Sequence, residues 1–106
     1  MFDFEIVKEY ANARKYEKSE VIIKEGEKSP YSLYIILSGS VRVHKEYGKV
    51  YQYVVGVLKQ GDFFGEMSLF MKKPRTATVV AAEETVVLEI TQENVHEVIR
   101  RNPEMF

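Results

Sequence analysis

The chain has 106 residues, enough for one core and too few for a second domain of ordinary size, so residues 1–106 are expected to form a single domain. Lysine plus arginine number 15 against 16 acids, and the net charge of -1 supplies no general attraction for polyanions, so nucleic acid is not an expected partner of this chain alone. The absence of cysteine excludes disulfides, thiolate metal sites and iron-sulfur ligation.

The first dozen residues place Phe4, Val7, Tyr10 and Ala11 at helical spacing, which predicts a short amphipathic helix ending near Asn12. Acids at Asp3 and Glu5 stand where a signal peptide would carry lysine or arginine, and apolar runs are only a few residues long. A cytoplasmic domain without a membrane segment is expected.

From Tyr16 to Ile90 the pattern changes to short β-type runs cut by turn chemistry. Val21 to Ile23 precede Glu25-Gly26-Glu27, Leu33 to Leu37 precede Ser38-Gly39, Val41 to His44 precede Tyr47-Gly48-Lys49, and Val50 to Leu58 precede Gly61-Asp62. Ala77 to Ala82 and Val86 to Ile90 follow, separated by Glu83-Glu84. Seven or eight short strands recur at sandwich or barrel spacing, a count that a jelly-roll (double-stranded β-helix) barrel accommodates, so a mainly β fold of that type with short flanking helices at both ends is expected. The last helix is predicted at about ten residues: Thr91 as N-cap, Glu93 in the first turn, Val95, Val98 and Ile99 as its apolar stripe, and Asn102-Pro103 as its stop.

Between the strands lies the densest local signal, Gly61-Asp62-Phe63-Phe64-Gly65-Glu66-Met67-Ser68-Leu69, followed by Pro74-Arg75-Thr76-Ala77-Thr78. Glu66 to Phe70 could make about one helical turn, whose first N-H groups lack intrahelical partners and point at a bound anion. From Glu66 to Arg75 three cations (Lys72, Lys73, Arg75) oppose one acid, a local net charge of +2. A buried carboxylate that accepts hydroxyls, facing a guanidinium across a positive field, suits a ligand with both hydroxyls and a phosphate. On the residues alone, Glu66 serves equally as a stabiliser of a helix N-terminus, Arg75 as its ion-pair partner, and Gly65 as a turn glycine.

Phe64-Gly65-Glu66-Met67-Ser68-Leu69 and Pro74-Arg75-Thr76-Ala77-Thr78-Val79 resemble the two halves of the phosphate-binding cassette of the cyclic-nucleotide-binding domains, the family of the catabolite activator protein and the kinase regulatory subunits. The segment Ser32 to Val41 resembles that family's strand-turn-strand, so the resemblance covers nearly the whole chain. It implies a regulatory sensor of cyclic AMP, with cyclic GMP as the second choice, that signals by helix movement and needs no cofactor. Glu66 is implied to take the ribose 2'-hydroxyl, and Arg75 the phosphate together with the backbone of Gly65, Met67 and Ser68. Phe64, Thr76, Ala77, Val43, Val55 and Gly56 are implied to line the phosphate, sugar or base walls. Ser68 departs from the commoner alanine. Thr76 keeps cyclic GMP open, because a hydroxyl there can meet the 2-amino group of guanine.

In many members a long helix beyond the position of Pro103 covers the base and mediates dimerisation, so a lid, an effector domain or a homodimer partner is expected from a longer parent protein or a second chain. Two other readings compete. One is a scaffold of the same fold whose nucleotide site no longer works. The other is a cupin-like enzyme, disfavoured because His44 and His96 are scattered and neither forms a nucleophile-base pair or a metal set. No catalytic or metal-binding residue is expected.

Overall fold

A computed structural model describes residues 4–28, 31–66, 68 and 73–103. The elements are α1 (Phe4–Tyr10), β1 (Ala11–Tyr16), β2 (Val21–Ile23), β3 (Ser32–Ser38), β4 (Ser40–Lys45), β5 (Tyr53–Lys59), β6 (Phe63–Phe64), β7 (Thr78–Ala81), β8 (Thr85–Thr91) and α2 (Val95–Arg101). All strand pairs are antiparallel and form two four-stranded sheets, ordered β1-β8-β3-β6 and β2-β7-β4-β5. This is the expected jelly-roll architecture, which accommodates the strand count.

The alternation of side chains explains why β3 reads as a nearly continuous apolar run. Leu33 and Ile35 point to one face, where they join Val7 of α1, Leu88 and Ile90 of β8, and Val95 and Val98 of α2. Tyr34 and Ile36 point to the other, where they meet Ile23, Val41, Phe64, Val79 and Val87 between the sheets. The first sheet is thus covered by helices on one side and by its partner sheet on the other. Three fully buried side chains of β3, Leu33, Ile35 and Ile36, each stabilise the fold by roughly 1.5–3 kcal/mol relative to exposure.

The turn between β3 and β4 depends on glycine. Gly39, at φ +88°, connects β3 to β4, and a Cβ there would lie 2.6 Å from the Thr85 hydroxyl. That hydroxyl donates to the Ser40 carbonyl at 3.0 Å, so the turn is packed against β8 and has no room for a side chain.

The ends of the chain differ from the sequence reading. The first helix stops at Tyr10, and Ala11 and Asn12 open β1, which pairs with β8 from Ala11 opposite Ile90 to Tyr16 opposite Thr85. Six backbone residues gain a sheet partner this way, an outcome that side-chain spacing within the helix cannot express. Thr91 is the last residue of β8, opposite Ser32, and cannot cap the final helix. Asn94 takes that position without a side-chain cap bond, and its amide instead donates to the Tyr10 carbonyl at 3.4 Å, tying α2 to the end of α1. The helix has seven residues, and the Asn102 side chain closes it by donating to the Val98 carbonyl at 2.9 Å. Val50, Tyr51 and Gln52 lie in the turn before β5, while Phe63 and Phe64 form a two-residue strand against Tyr34 and Ile35.

Candidate functional site

The cassette residues converge on a cavity of about 250 Å3 at one end of the space between the sheets. Its apolar wall comes from Ile23, Val43, Leu58 and Val79, and its polar rim from Gly65, Glu66, Ser68, Arg75 and Thr76, with Phe63, Phe64 and Ala77 between them. The floor follows from the alternation on β4, β5 and β7, which turns every second side chain toward the facing sheet.

Arg75 is the fixed point of the rim. Its backbone N-H donates to the Glu27 carbonyl at 2.9 Å, and its own carbonyl accepts from Gly26 N-H at 2.7 Å, so the β2–β3 turn holds it from both sides. Its side chain is buried, with 7% of the residue exposed. Nη1 donates to the Gly65 carbonyl at 2.7 Å and Nη2 to the Ser32 carbonyl at 2.9 Å. The guanidinium carbon stands 4.9 Å from the centre of the Tyr31 ring, a cation-π distance. Burial lowers the guanidinium's proton affinity, and the nearby Tyr34, Glu27, Tyr31 and Glu66 oppose that shift. Arginine starts so far above neutrality that it remains a cation. Of its five N-H donors, two are engaged with these carbonyls.

Gly65 is required for both conformation and space. Its φ is +93°, and a Cβ would stand 2.7 Å from the Ser32 carbonyl oxygen and 3.1 Å from Arg75 Nη1. Phe64, just before it, is buried and stacks on Tyr34 with ring centroids 5.1 Å apart. Glu66 and Ser68 are helical, in keeping with a short turn after Gly65, and Ser68 is buried at the cavity wall. Met67 lies outside the described residues. Glu66 is half-buried, so the expectation of a buried acid facing the guanidinium is corrected. Arg75 bonds to backbone carbonyls, and Glu66 acts on it as a neighbouring charge in the same cavity.

Thr76 is exposed at the rim and Ala77 is half-buried. The Thr76 carbonyl accepts a bond from Lys45 Nζ, which also pairs with Glu25 at 3.4 Å. Glu25 in turn accepts from the Glu46 N-H at 3.1 Å and donates its own N-H to the Thr78 hydroxyl at 3.0 Å. This chain of contacts joins the β2–β3 turn, the end of β4 and the second half of the cassette. Residue spacing gives no sign of it, because its members lie far apart in sequence.

Val43 lines the cavity, whereas Val55 and Gly56 do not. Val55 is 54% exposed on the outer side of β5, and Gly56 reaches the site only through its pairing with Val43. Leu58 lines the wall instead, on the same face of β5 as Gly56 and two residues further along. Ile23 and Val79 complete the aliphatic lining, and the alternation of their strands was the signal that could have found them, whereas Phe63 comes from the two-residue β6, which is too short to show a period.

His44 lies on β4 and His96 on α2, in separate elements. Among the described residues no three His, Cys, Asp or Glu side chains are grouped to hold a metal ion, and no helix is long and apolar enough to cross a membrane.

The sequence and the fold recur in known proteins. The cyclic nucleotide-binding domain family matches residues 13–102. The chain is 40% identical over 72 residues to the cAMP-dependent protein kinase regulatory subunit of Mycosarcoma maydis, covering 68% of this chain and 13% of that protein. It is 35% identical over 100 residues to the cAMP-activated global transcriptional regulator CRP of Salmonella typhimurium, covering 92% of this chain and 46% of the regulator. The crystal structure of the Thermus thermophilus catabolite activator protein superposes with a TM-score of 0.82 at 31% identity, over 94% of this chain and 46% of that one. The chain therefore spans less than half the length of these relatives. With the family match extending from β1 to the end of α2, and with relatives above 30% identity over most of its length, the chain belongs to the cyclic nucleotide-binding domain family, whose members act as regulatory binding modules.

Proposed function

We propose that the cavity binds a 3',5'-cyclic nucleotide, cyclic AMP in the first place and cyclic GMP in the second, and that residues 1–106 act as one cytoplasmic sensor domain of a longer regulatory assembly. The observation that carries this reading is Arg75: a buried guanidinium, clamped through its backbone and two carbonyls, in one cavity with Glu66. In this reading the remaining guanidinium donors and the backbone at Gly65, Met67 and Ser68 hold the phosphate, and Glu66 accepts a ribose hydroxyl. Phe64 and Ala77 pack the cassette around them, and Val43 and Thr76 flank the base. Binding requires no bond to break, so the role is recognition rather than catalysis. It needs neither nucleic acid nor a membrane.

Phe63 supports the signalling half of the proposal. It lines the cavity and also packs against the cluster that seats α1 and α2 on the first sheet. A ligand that moves β6 and the turn after it therefore pushes on the seat of both helices.

A ligand of about 22 heavy atoms at roughly 0.3 kcal/mol per atom binds with about 6–7 kcal/mol, a dissociation constant near 10 μM. At about a hundredfold excess, linkage adds roughly 2.7 kcal/mol and raises the melting temperature by about 10 °C. Melting curves that stay in place with millimolar cyclic AMP and cyclic GMP would instead assign the chain a scaffold role.

A further inference from the structure

The second half of the cassette reaches β7 through residues 73–77, which form no helix or strand, so their backbone groups need partners elsewhere. The turn Glu25-Gly26-Glu27 supplies two of them: Gly26 N-H donates to the Arg75 carbonyl at 2.7 Å, and the Glu27 carbonyl accepts from Arg75 N-H at 2.9 Å. The next carbonyl along, that of Thr76, is taken by a side chain, the ammonium of Lys45 at the end of β4. Glu25 in turn fixes Lys45. One of its carboxylate oxygens stands 3.4 Å from the ammonium, and the other accepts the Glu46 N-H at 3.1 Å. Glu46 has a φ of +56°, a conformation that non-glycine residues keep only where their surroundings impose it. The Glu25 N-H donates to the buried Thr78 hydroxyl at 3.0 Å, so this one residue touches both the end of β4 and the start of β7. The two charged side chains are 33% and 31% exposed, and partial removal from water makes their attraction firmer than that of a surface pair.

We propose that Lys45 and Glu25 are positioning residues for nucleotide binding: their ion pair holds the Thr76 carbonyl, and through it the stretch from Arg75 to Ala77, in the binding arrangement before a ligand arrives. The inference rests on the nucleotide reading of the cavity. Neither side chain lines that cavity, so the effect passes through Thr76. A rim that is ordered only part of the time lowers the apparent affinity by the fraction of time it is ordered, and the clamp raises that fraction. The sign of the effect separates positioning from simple charge. A cyclic nucleotide is an anion, so long-range attraction alone would tighten its binding when Glu25 is neutralised and weaken it when Lys45 is. Positioning weakens it in both cases.

Isothermal titration of the full chain with cyclic AMP tests the pair. Lys45→Met is expected to lower affinity about five- to tenfold and Glu25→Gln about threefold, with the double change costing no more than Lys45→Met alone, because both act through one contact. Lys45→Arg, which keeps a cation and several N-H donors, recovers most of the loss. In the ligand-free chain the Gly26 and Arg75 amides exchange hydrogen faster in Lys45→Met than in the parent, while the amides of β8 keep their rates. Unchanged affinity in Lys45→Met, or raised affinity in Glu25→Gln, overturns the proposal and leaves the nucleotide reading standing. Equal acceleration of the β8 amides overturns it as well, since the pair is then a brace of the whole fold. A parent chain that binds neither cyclic AMP nor cyclic GMP removes the nucleotide reading, and the proposal with it.

Discussion

Arg75 and Gly65 fit together through one atom. Nη1 of Arg75 donates to the Gly65 carbonyl at 2.7 Å, and the same nitrogen is 3.1 Å from where a Gly65 Cβ would stand. The glycine leaves room for the guanidinium, and the guanidinium satisfies the carbonyl that the glycine's turn exposes. Each residue is therefore part of the other's environment.

Gly65→Ala is expected to strain the backbone at φ +93° and drive a methyl into the Ser32 carbonyl at 2.7 Å. The conformational part alone is about 1–3 kcal/mol, a fall of roughly 10 °C in melting temperature. Nucleotide affinity should fall further than stability does, because the methyl also displaces Arg75. Thermal melting and isothermal titration on the same sample measure the two effects.

Arg75→Lys keeps the charge and loses the planar fork, so one ammonium cannot serve both carbonyls and a phosphate. Affinity should fall while the fold is retained. Arg75→Ala should cost at least about 2 kcal/mol of binding, some thirtyfold, and also destabilise the free chain, since the Ser32 and Gly65 carbonyls lose their donors. If Arg75→Ala melts lower yet titrates with cyclic nucleotide like the parent, the arginine is a structural residue only.

Thr76→Ala separates the two bases. If the exposed hydroxyl meets guanine, cyclic GMP should lose about 1 kcal/mol more than cyclic AMP. Equal losses, measured by competition titration, place the hydroxyl on the phosphate.

Glu89 sets an acid limb for stability. Burial pushes its carboxyl up, but hydrogen bonds from Ser32, Arg14 and Tyr34 and the Arg14 charge outweigh that and hold it below the usual carboxylate range. A carboxyl lowered in the folded state contributes stability that is present above its unfolded value, about 4.3, and lost as pH falls through the lower folded value. Glu89→Gln should therefore flatten the loss of melting temperature on acidification below about pH 5. Tyr34, which donates to Glu89 at 3.2 Å, is shifted up by burial and then by Glu89. Its contribution is full below its unfolded value near 10 and declines as pH rises toward the higher folded one, so Tyr34→Phe should flatten the alkaline limb.

The parts legible in the sequence were those where a side-chain pattern or a residue-rich motif fixes geometry locally. The strand runs around Leu33 and Val87 alternate or stay apolar for the reason the sheets require. The convergence of Gly65, Glu66, Ser68 and Arg75 on one cavity follows from the two runs that carry them. What was not legible depends on a distant partner. β1 exposes four consecutive residues and has no apolar rhythm, so its pairing with β8, some 75 residues away, leaves no local trace. Thr91 has the chemistry of a cap, but Ser32 claims it for the sheet. Val55 and Leu58 are both aliphatic, and only the bulge between Val43 and His44 in the pairing of β4 with β5, together with the facing sheet, decides which of them reaches the cavity.

Ser32 has one further consequence. Its carbonyl accepts from Arg75 Nη2, and the residue itself stands opposite Thr91, whose own carbonyl receives the Asn94 N-H at 2.9 Å where α2 begins. A phosphate that draws the guanidinium away from Ser32 takes a donor from the strand position that neighbours the start of that helix. Reciprocity then runs in both directions. Whatever braces α2 against α1 must alter nucleotide affinity by the same factor by which nucleotide alters the bracing, so the toll on a clasped helix pair can be read as a shift in a binding isotherm.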